Sequence, residues 1–370
     1  MVLNLEMLPA GRGDSLLLEY GEGDSPVHRV LIDGGHMHAY QDIRSRLLDI
    51  PADAWGRRQF ELLVLTHIDT DHIDGVIALL QDPALNCWFN DIWFNGWRHL
   101  EPLHEDGPAV ADPVTLGPKQ GEFLGGLLEV LGLPWNRYFA GGIIHLPDEG
   151  PLPKLTITGG LELTLLSPGV QQLTELREEW ETVLDDADAQ PGLGPQALIE
   201  FGSMLTDDSI VTLGDEDRRS TLDNSEANGS SIAFLAEFGD HRLLLPGDAF
   251  ADVLRRSLDR WRADQPDPSE RVALDAFKLP HHGSQRNITP QLMNVISCQN
   301  YLISTDGTGR AKHPDVETIV MIRDHHDTAS GAAEPTLCFN YRSDQTKGFA
   351  GVQGMTALYE QEAALRWPKS

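Results

Sequence analysis

Four potential metal ligands stand within six residues at His67-Ile68-Asp69-Thr70-Asp71-His72, directly after the apolar run Phe60-Glu61-Leu62-Leu63-Val64-Leu65. No packing requirement gathers two histidines and three acids, Asp74 included, beside a hydrophobic strand, because uncompensated like charge there is costly. Imidazole nitrogens and carboxylate oxygens are, by contrast, what divalent transition metals bind. Two further clusters lie far away in the chain. Asp248 ends Leu243-Leu244-Leu245-Pro246-Gly247, and His281-His282-Gly283-Ser284 follows Phe277-Lys278-Leu279-Pro280. Adjacent histidines at a strand end point in different directions, so one can ligate while the other meets substrate. Together the clusters suit a pair of cations, with a carboxylate bridging and the other donors filling the outer positions. Two such ions roughly 3.5–4 Å apart polarise a scissile group, activate a trapped water and stabilise a leaving oxygen. Hydrolysis is the reaction this arrangement suits.

Each cluster needs an element to deliver it. Apolar alternation predicts strands at Val2–Met7 and Leu16–Tyr20 around the break Pro9-Ala10-Gly11-Arg12-Gly13-Asp14, and a third from Val27 to Ile32 ending on Asp33-Gly34-Gly35. The run 60–65 suits a strand buried on both faces. After it, Asp74 can cap a helix in which Val76, Ile77, Leu79 and Leu80 have helical spacing. Strands follow at 155–158 and 161–166, then a hairpin whose arms are 231–238 and 242–248. The later chain alternates helix and strand: 252–261, 273–279, 290–296, 301–304 and 314–323. Strands with helices between them recur twice, which predicts a layered α/β sandwich.

At 370 residues the chain reads as one domain, 1–370, with insertions at about 97–150 and about 171–227. The formal net charge of −29 and the lack of a basic run count against strong non-specific nucleic-acid affinity. Bound divalent cations would reverse the sign locally in a carboxylate-lined cleft. Cys87, Cys298 and Cys338 fit neither a disulfide framework nor a thiolate zinc cluster, and point to a reduced setting. The first residues lack the pattern of a signal peptide, and no segment approaches the roughly 20 apolar residues that span a bilayer. A cytoplasmic protein without membrane association is the expectation.

The motifs His67-Ile68-Asp69-Thr70-Asp71-His72, Pro246-Gly247-Asp248 and Pro280-His281-His282-Gly283-Ser284 resemble, in order, those of the metallo-β-lactamase superfamily. Asp69 in the second motif position, the His-His-Gly-Ser run, His313-Pro314 and the early Asp33-Gly34-Gly35 resemble the branch that includes the hydrolase domain of ComEC, the DNA-uptake channel protein. The resemblance implies a four-layer αββα sandwich with two divalent ions at one edge, zinc first and manganese as the alternative. His67 and Asp69 would serve one ion, Asp71 and His72 the other, and Asp248 would bridge. His281 would complete the second ion's shell, while His282, Ser284 and Asn228 would face substrate, with His313 a candidate proton donor or oxyanion holder. In place of a histidine for the first ion, the chain offers Asn228-Gly229-Ser230-Ser231. The expected activity is hydrolysis of a phosphoester or phosphodiester, nucleic acid included, by a metal-bridging hydroxide that Asp71 orients. A lactone or carboxylic ester is the competing substrate within the fold. The rival from another class is a weakly or non-catalytic metal-bearing partner or sensor in a multi-gene system such as antiphage defence, contacting proteins through its insertions.

The remaining polar and aromatic groups read more plainly. Asp33 is expected to be a structural acceptor that orients loops, and His36 and His38 to be exposed. Trp88, Trp93 and Trp97 alternate with apolar neighbours as core residues do. The acidic stretches Asp185-Asp186-Ala187-Asp188, Asp207-Asp208 and Asp215-Glu216-Asp217 read as solvated loops.

Overall fold

A computed structural model describes residues 1–23, 28–103, 117–202, 225–308, 312–326 and 333–367. Its strands, in chain order, are β1 (Val2–Met7), β2 (Leu16–Gly21), β3 (His28–Ile32), β4 (Arg58–Phe60), β5 (Leu62–Val64), β6 (Cys87–Phe89), β7 (Ile92–Trp93) and β8 (Lys154–Thr156). There follow β9 (Glu162–Ser167), β10 (Ala233–Phe238), β11 (His241–Leu245), β12 (Val272–Lys278), β13 (Ile296–Ile303), β14 (Thr336–Phe339), β15 (Thr356–Tyr359) and β16 (Leu365–Trp367). One six-stranded sheet runs β16-β1-β2-β3-β5-β7, and an eight-stranded sheet runs β15-β14-β13-β12-β11-β10-β9-β8. A small parallel pair, β4 with β6, stands apart.

Side-chain alternation explains the layers. Successive residues of a strand point to opposite faces, and here both faces are covered. Leu16 and Leu18 of β2 with Leu243 and Leu245 of β11 point into the space between the sheets, where Val30, Ile32, Val64, Phe234 and Ala276 join them. Leu17, Leu31 and Leu63 point outward against helices Tyr40–Leu48 and Thr70–Gln81, through Ile43, Leu47 and Val76. Leu244 and Phe277 point outward on the other side against Leu254 and Leu258 of helix Ala251–Ala263 and Ile319 and Ile322 of helix Val316–His325. The order helix, sheet, sheet, helix is the four-layer αββα sandwich. It also explains why these strands read as continuous apolar runs.

The described parts of the two expected insertions belong to this packing. Helices Gly117–Leu131 and Val170–Asp185 thicken the outer layer of the six-stranded sheet: Phe123, Leu124, Leu127, Leu173, Leu176 and Trp180 share one apolar cluster with Val76 and Leu63. Asp207, Asp208, Asp215, Glu216 and Asp217 lie outside the described residues, whereas Asp185 and Asp186 close the helix 170–185.

Several expectations are corrected. The helix after β5 begins at Thr70, not after Asp74, because the backbone carbonyl of Asp69 already accepts the N–H groups of His72 (2.9 Å) and Ile73 (3.0 Å). Asp71 and His72 thus lie in the first turn of the helix, with Asp69 at its N-cap position. β13 begins at Ile296, earlier than predicted, and β14, β15 and β16 were not anticipated. Trp93 is core as expected, but Trp88 is half exposed beneath the Arg57 guanidinium, 4.7 Å from its ring. His36, expected at the surface, is buried.

Candidate metal centre

The loops at one edge of the two sheets converge. β5 leads through Leu65 and Thr66 to His67 and then into helix Thr70–Gln81, which carries Asp71 and His72 on its first turn. β11 delivers Asp248 after Gly247, whose φ of +56° suits glycine and whose added Cβ would stand 2.8 Å from Thr66 Cβ. The two strand ends therefore approach as closely as a missing side chain allows. β12 delivers the histidine pair with His281 at φ 48° and His282 at φ 53°. Consecutive left-handed residues without glycine are strained, and the surrounding loops hold them there. The result is two rings inclined by 78°.

Three imidazoles are aimed by the same device: Nδ1 is engaged, which leaves the Nε2 lone pair facing inward. His72 Nδ1 donates to Asp33 Oδ2 at 2.9 Å, and His282 Nδ1 donates to the Ser304 carbonyl at 2.9 Å. Thr66 Oγ1 donates to Asp33 Oδ2 (2.8 Å) and so accepts from His67 Nδ1 (3.0 Å). Asp33 also accepts the Thr66 N–H (2.7 Å), in keeping with its expected place as an orienting acceptor. The Nε2 atoms of His67, His72 and His282 are all buried with no hydrogen-bond partner.

Those three nitrogens face carboxylates, in all but one case at separations too long for a hydrogen bond. Asp248 Oδ2 lies 3.9 Å from His67 Nε2, 3.6 Å from His72 Nε2 and 3.8 Å from His282 Nε2. Asp71 offers Oδ2 at 3.2 Å from His282 Nε2 and Oδ1 at 4.0 Å from His72 Nε2, and Asp69 Oδ2 lies 3.6 Å from His67 Nε2. Ligand atoms that share one tetrahedral ion at about 2.0–2.2 Å are roughly 3.3–3.6 Å apart. The donor set therefore fits divalent metal: Asp71, His72, His282 and Asp248 could hold one ion, and His67, Asp69 and Asp248 a second. His67, His72 and Asp248 also form a compact triad, as do Asp71, His72 and His282.

The expected division of the histidine pair is reversed by this geometry. His282 Nε2 enters the cluster, while His281 Nδ1 sits 3.1 Å from Asn287 Oδ1 and 3.3 Å from Asn228 Nδ2. His281 contributes its backbone N–H, which donates to Asp248 Oδ1 at 2.9 Å. Asn228 accordingly stands beside His281, whose ring centroid lies 5.4 Å from that of His313. Ser284, expected to contact substrate, is buried, and its Oγ accepts the Arg286 N–H at 3.3 Å to close the turn.

Electrostatics distinguish the donors. Burial would raise the carboxyl groups of Asp71 and Asp248, yet the imidazoles, His72 above all, hold both well below the usual range. Burial would lower His72 and His282, but Asp248 and the neighbouring carboxylates keep both raised. An excess of negative charge here thus attracts whatever positive charge is to hand. His313, largely desolvated and beside His281 and His282, is pushed down to about 3. Behind the cluster Asp74, raised to about 7 by burial and then by Asp71, pairs with Gln120 and lies 3.8 Å from His36 Nδ1.

Two residues escaped sequence reasoning: Asp14 and Lys278, a buried ion pair beside Asp248. Alternation along β12 could have exposed Lys278, since it puts position 278 on the inner face with Ala276, where an unpaired lysine does not belong.

Among the described residues no helix is long and apolar enough to cross a membrane. No protein-family model matches the chain, and a search of curated proteins finds no relative. Solved structures do resemble it. YhfI from Bacillus subtilis, a metallo-β-lactamase fold protein, is 11% identical, with 99% of this chain and 98% of that one covered and a TM-score of 0.38. Zn2+-bound PqqB from Methylobacterium extorquens is 12% identical over 100% of both chains, with a TM-score of 0.42. CmlA, a diiron β-hydroxylase from Streptomyces venezuelae, is 12% identical, with 99% of this chain and 54% of that one covered and a TM-score of 0.40.

Proposed function

We propose that the chain is a metal-dependent hydrolase of phosphoesters, phosphodiesters foremost, with two divalent ions held by His67, Asp69, Asp71, His72, His282 and Asp248. The observation that carries this reading is the convergence of three buried, unpartnered Nε2 atoms on the carboxylates of Asp248, Asp71 and Asp69. Zinc suits the nitrogen-rich group around His72 and His282; the more oxygen-weighted group around His67 and Asp69 also admits manganese. When bound, such ions polarise the scissile group and lower the pKa of a water. Asp71, the more exposed of the carboxylates at His282, is placed to orient that water. His281, beside both Asn228 and His313, adjoins His282, and these three residues are placed to hold the non-bridging oxygens and the leaving group. Asp69 in the second motif position and the run 281–284 favour the ComEC-like branch, without any carry-over of DNA transport.

Chelation followed by reloading with zinc or manganese tests the reading on a panel of a nitrophenyl phosphodiester, a single-stranded oligonucleotide, a lactone and a carboxylic ester. Metal-dependent turnover of the phosphodiesters is expected, with a loss of at least about 100-fold in His72→Ala. Turnover of the lactone or carboxylic ester alone would move the activity within the fold, and no turnover would contradict it. The partner or sensor reading draws on one observation, that the His67 side has Asn228 rather than a third imidazole. Survival of cellular function in a folded His67→Ala/Asp248→Ala protein would favour it.

A further inference from the structure

Lys278 is the last residue of β12, 1% exposed, and its ammonium is the only lysine or arginine charge buried beside the cluster among the described residues. It forms an ion pair with Asp14 and lies 3.8 Å from Asp248 Oδ1. Asp14, fully buried, stands in the turn between β1 and β2, so the pair joins the six-stranded sheet to the eight-stranded one. It also touches the donors from behind. Asp14 Oδ1 lies 3.4 Å from His282 Nδ1, and the Asp14 N–H donates to the Asp71 carbonyl at 3.2 Å. That contact is close enough that a Cβ on Gly13 would stand 1.8 Å from the same carbonyl oxygen. Asp14, Asp33 and Asp248 are all buried, and Asp71 adjoins them. Carboxylates gathered so closely repel one another unless a cation sits among them.

We propose that Lys278 is that cation: a built-in positive charge that holds the carboxylate cluster together before any metal arrives, and a positioning residue for Asp248 and, through Asp14, for His282. Its ammonium and the His281 N–H engage Asp248 Oδ1, which leaves Oδ2 for the three imidazoles. The metal-free protein therefore keeps its fold, and the donors wait in place.

The test compares chelator-treated wild type, Lys278→Met and the charge-balanced Asp14→Asn/Lys278→Met protein by thermal unfolding, each with and without added zinc. Lys278→Met leaves buried carboxylates without their counter-charge, so its metal-free Tm should fall by at least about 5 °C. Removing Asp14's charge as well should recover most of that loss, and zinc should raise the Tm of Lys278→Met more than that of the wild type. A double variant as unstable as the single one would overturn the proposal, since lost packing rather than charge would then be the cause. An unchanged metal-free Tm in Lys278→Met would do the same. Should Lys278→Met fail to fold, the double variant decides: near-wild-type melting supports the proposal and failure to fold overturns it. The proposal rests on the metal reading only in its zinc arm. A wild type that neither binds nor responds to zinc counts against the metal centre, while the metal-free comparison still judges Lys278.

Discussion

Asp33 shows how a residue outside the candidate ligand set can fix the geometry of that set. Its carboxylate accepts from the Thr66 N–H, the Thr66 hydroxyl and His72 Nδ1, and so fixes the strand end and one imidazole at once. Replacing such an orienting carboxylate typically weakens metal binding 10–100-fold. Asp33→Asn should do so in a competition titration against a chromophoric chelator while its circular dichroism stays that of the wild type; unchanged affinity would mean that His72 needs no orientation. At this scale the meeting of His67, Asp69, Asp71, His72 and Asp248 was legible, because they are polar groups where hydrophobic strands end. The order within the histidine pair was not readable. It depends on left-handed backbone at both His281 and His282, which tertiary contacts impose and residue type does not announce. Asp14 and Lys278 were legible in principle, from a charge at an inward position of β12.

Among the elements, the strand ends matter most. β5 and β11 come together where Gly247 faces Thr66, with φ +56° and no room for a Cβ. Gly247→Ala should cost about 1–3 kcal/mol, from left-handed backbone and the clash together. Denaturant unfolding measures this, and a cost under about 0.5 kcal/mol would show that the approach is slack. The strands of the central sheets were predictable because burial on both faces leaves nearly unbroken apolar runs, as in Leu243-Leu244-Leu245. The start of helix Thr70–Gln81 differs from the expected one because the sequence shows a capping residue at Asp74, while the cap falls five residues earlier, at Asp69, and brings Asp71 and His72 to the edge. Asp74 instead meets Gln120 of helix Gly117–Leu131, a contact between distant segments that no local pattern encodes. β14, β15 and β16 are short, and the pairing of β16 with β1 at the other end of the chain is likewise a tertiary outcome.

The whole molecule couples this acidic chain to buried histidines. His99, enclosed by Trp135 and Asn136, is pushed down to about 4 by burial and then by Arg98. The folded state keeps this ring neutral, whereas the unfolded chain takes up a proton near pH 6.5. Stability from this group is therefore complete above about pH 6.5 and is lost progressively as pH falls toward 4, by up to about 3 kcal/mol. Denaturant unfolding between pH 7 and 4 should show that decline, and His99→Gln should flatten it; parallel slopes in the two proteins would assign the decline elsewhere. The four layers were foreseeable because strands with intervening helices recur twice. The place of helices Gly117–Leu131 and Val170–Asp185 within the outer layer was not, since their apolar faces do not say which neighbour they cover.

In the proposed metal centre, loops from both sheets share divalent cations at one edge. Anomalous diffraction above and below the zinc edge, on crystals of zinc-loaded protein, tests it most directly. A strong peak is expected within about 2.0–2.2 Å of His72 Nε2, His282 Nε2 and an oxygen each of Asp71 and Asp248, with a second, weaker peak beside His67 and Asp69. Zinc bound elsewhere, or His281 in place of His282 at the stronger peak, would contradict it.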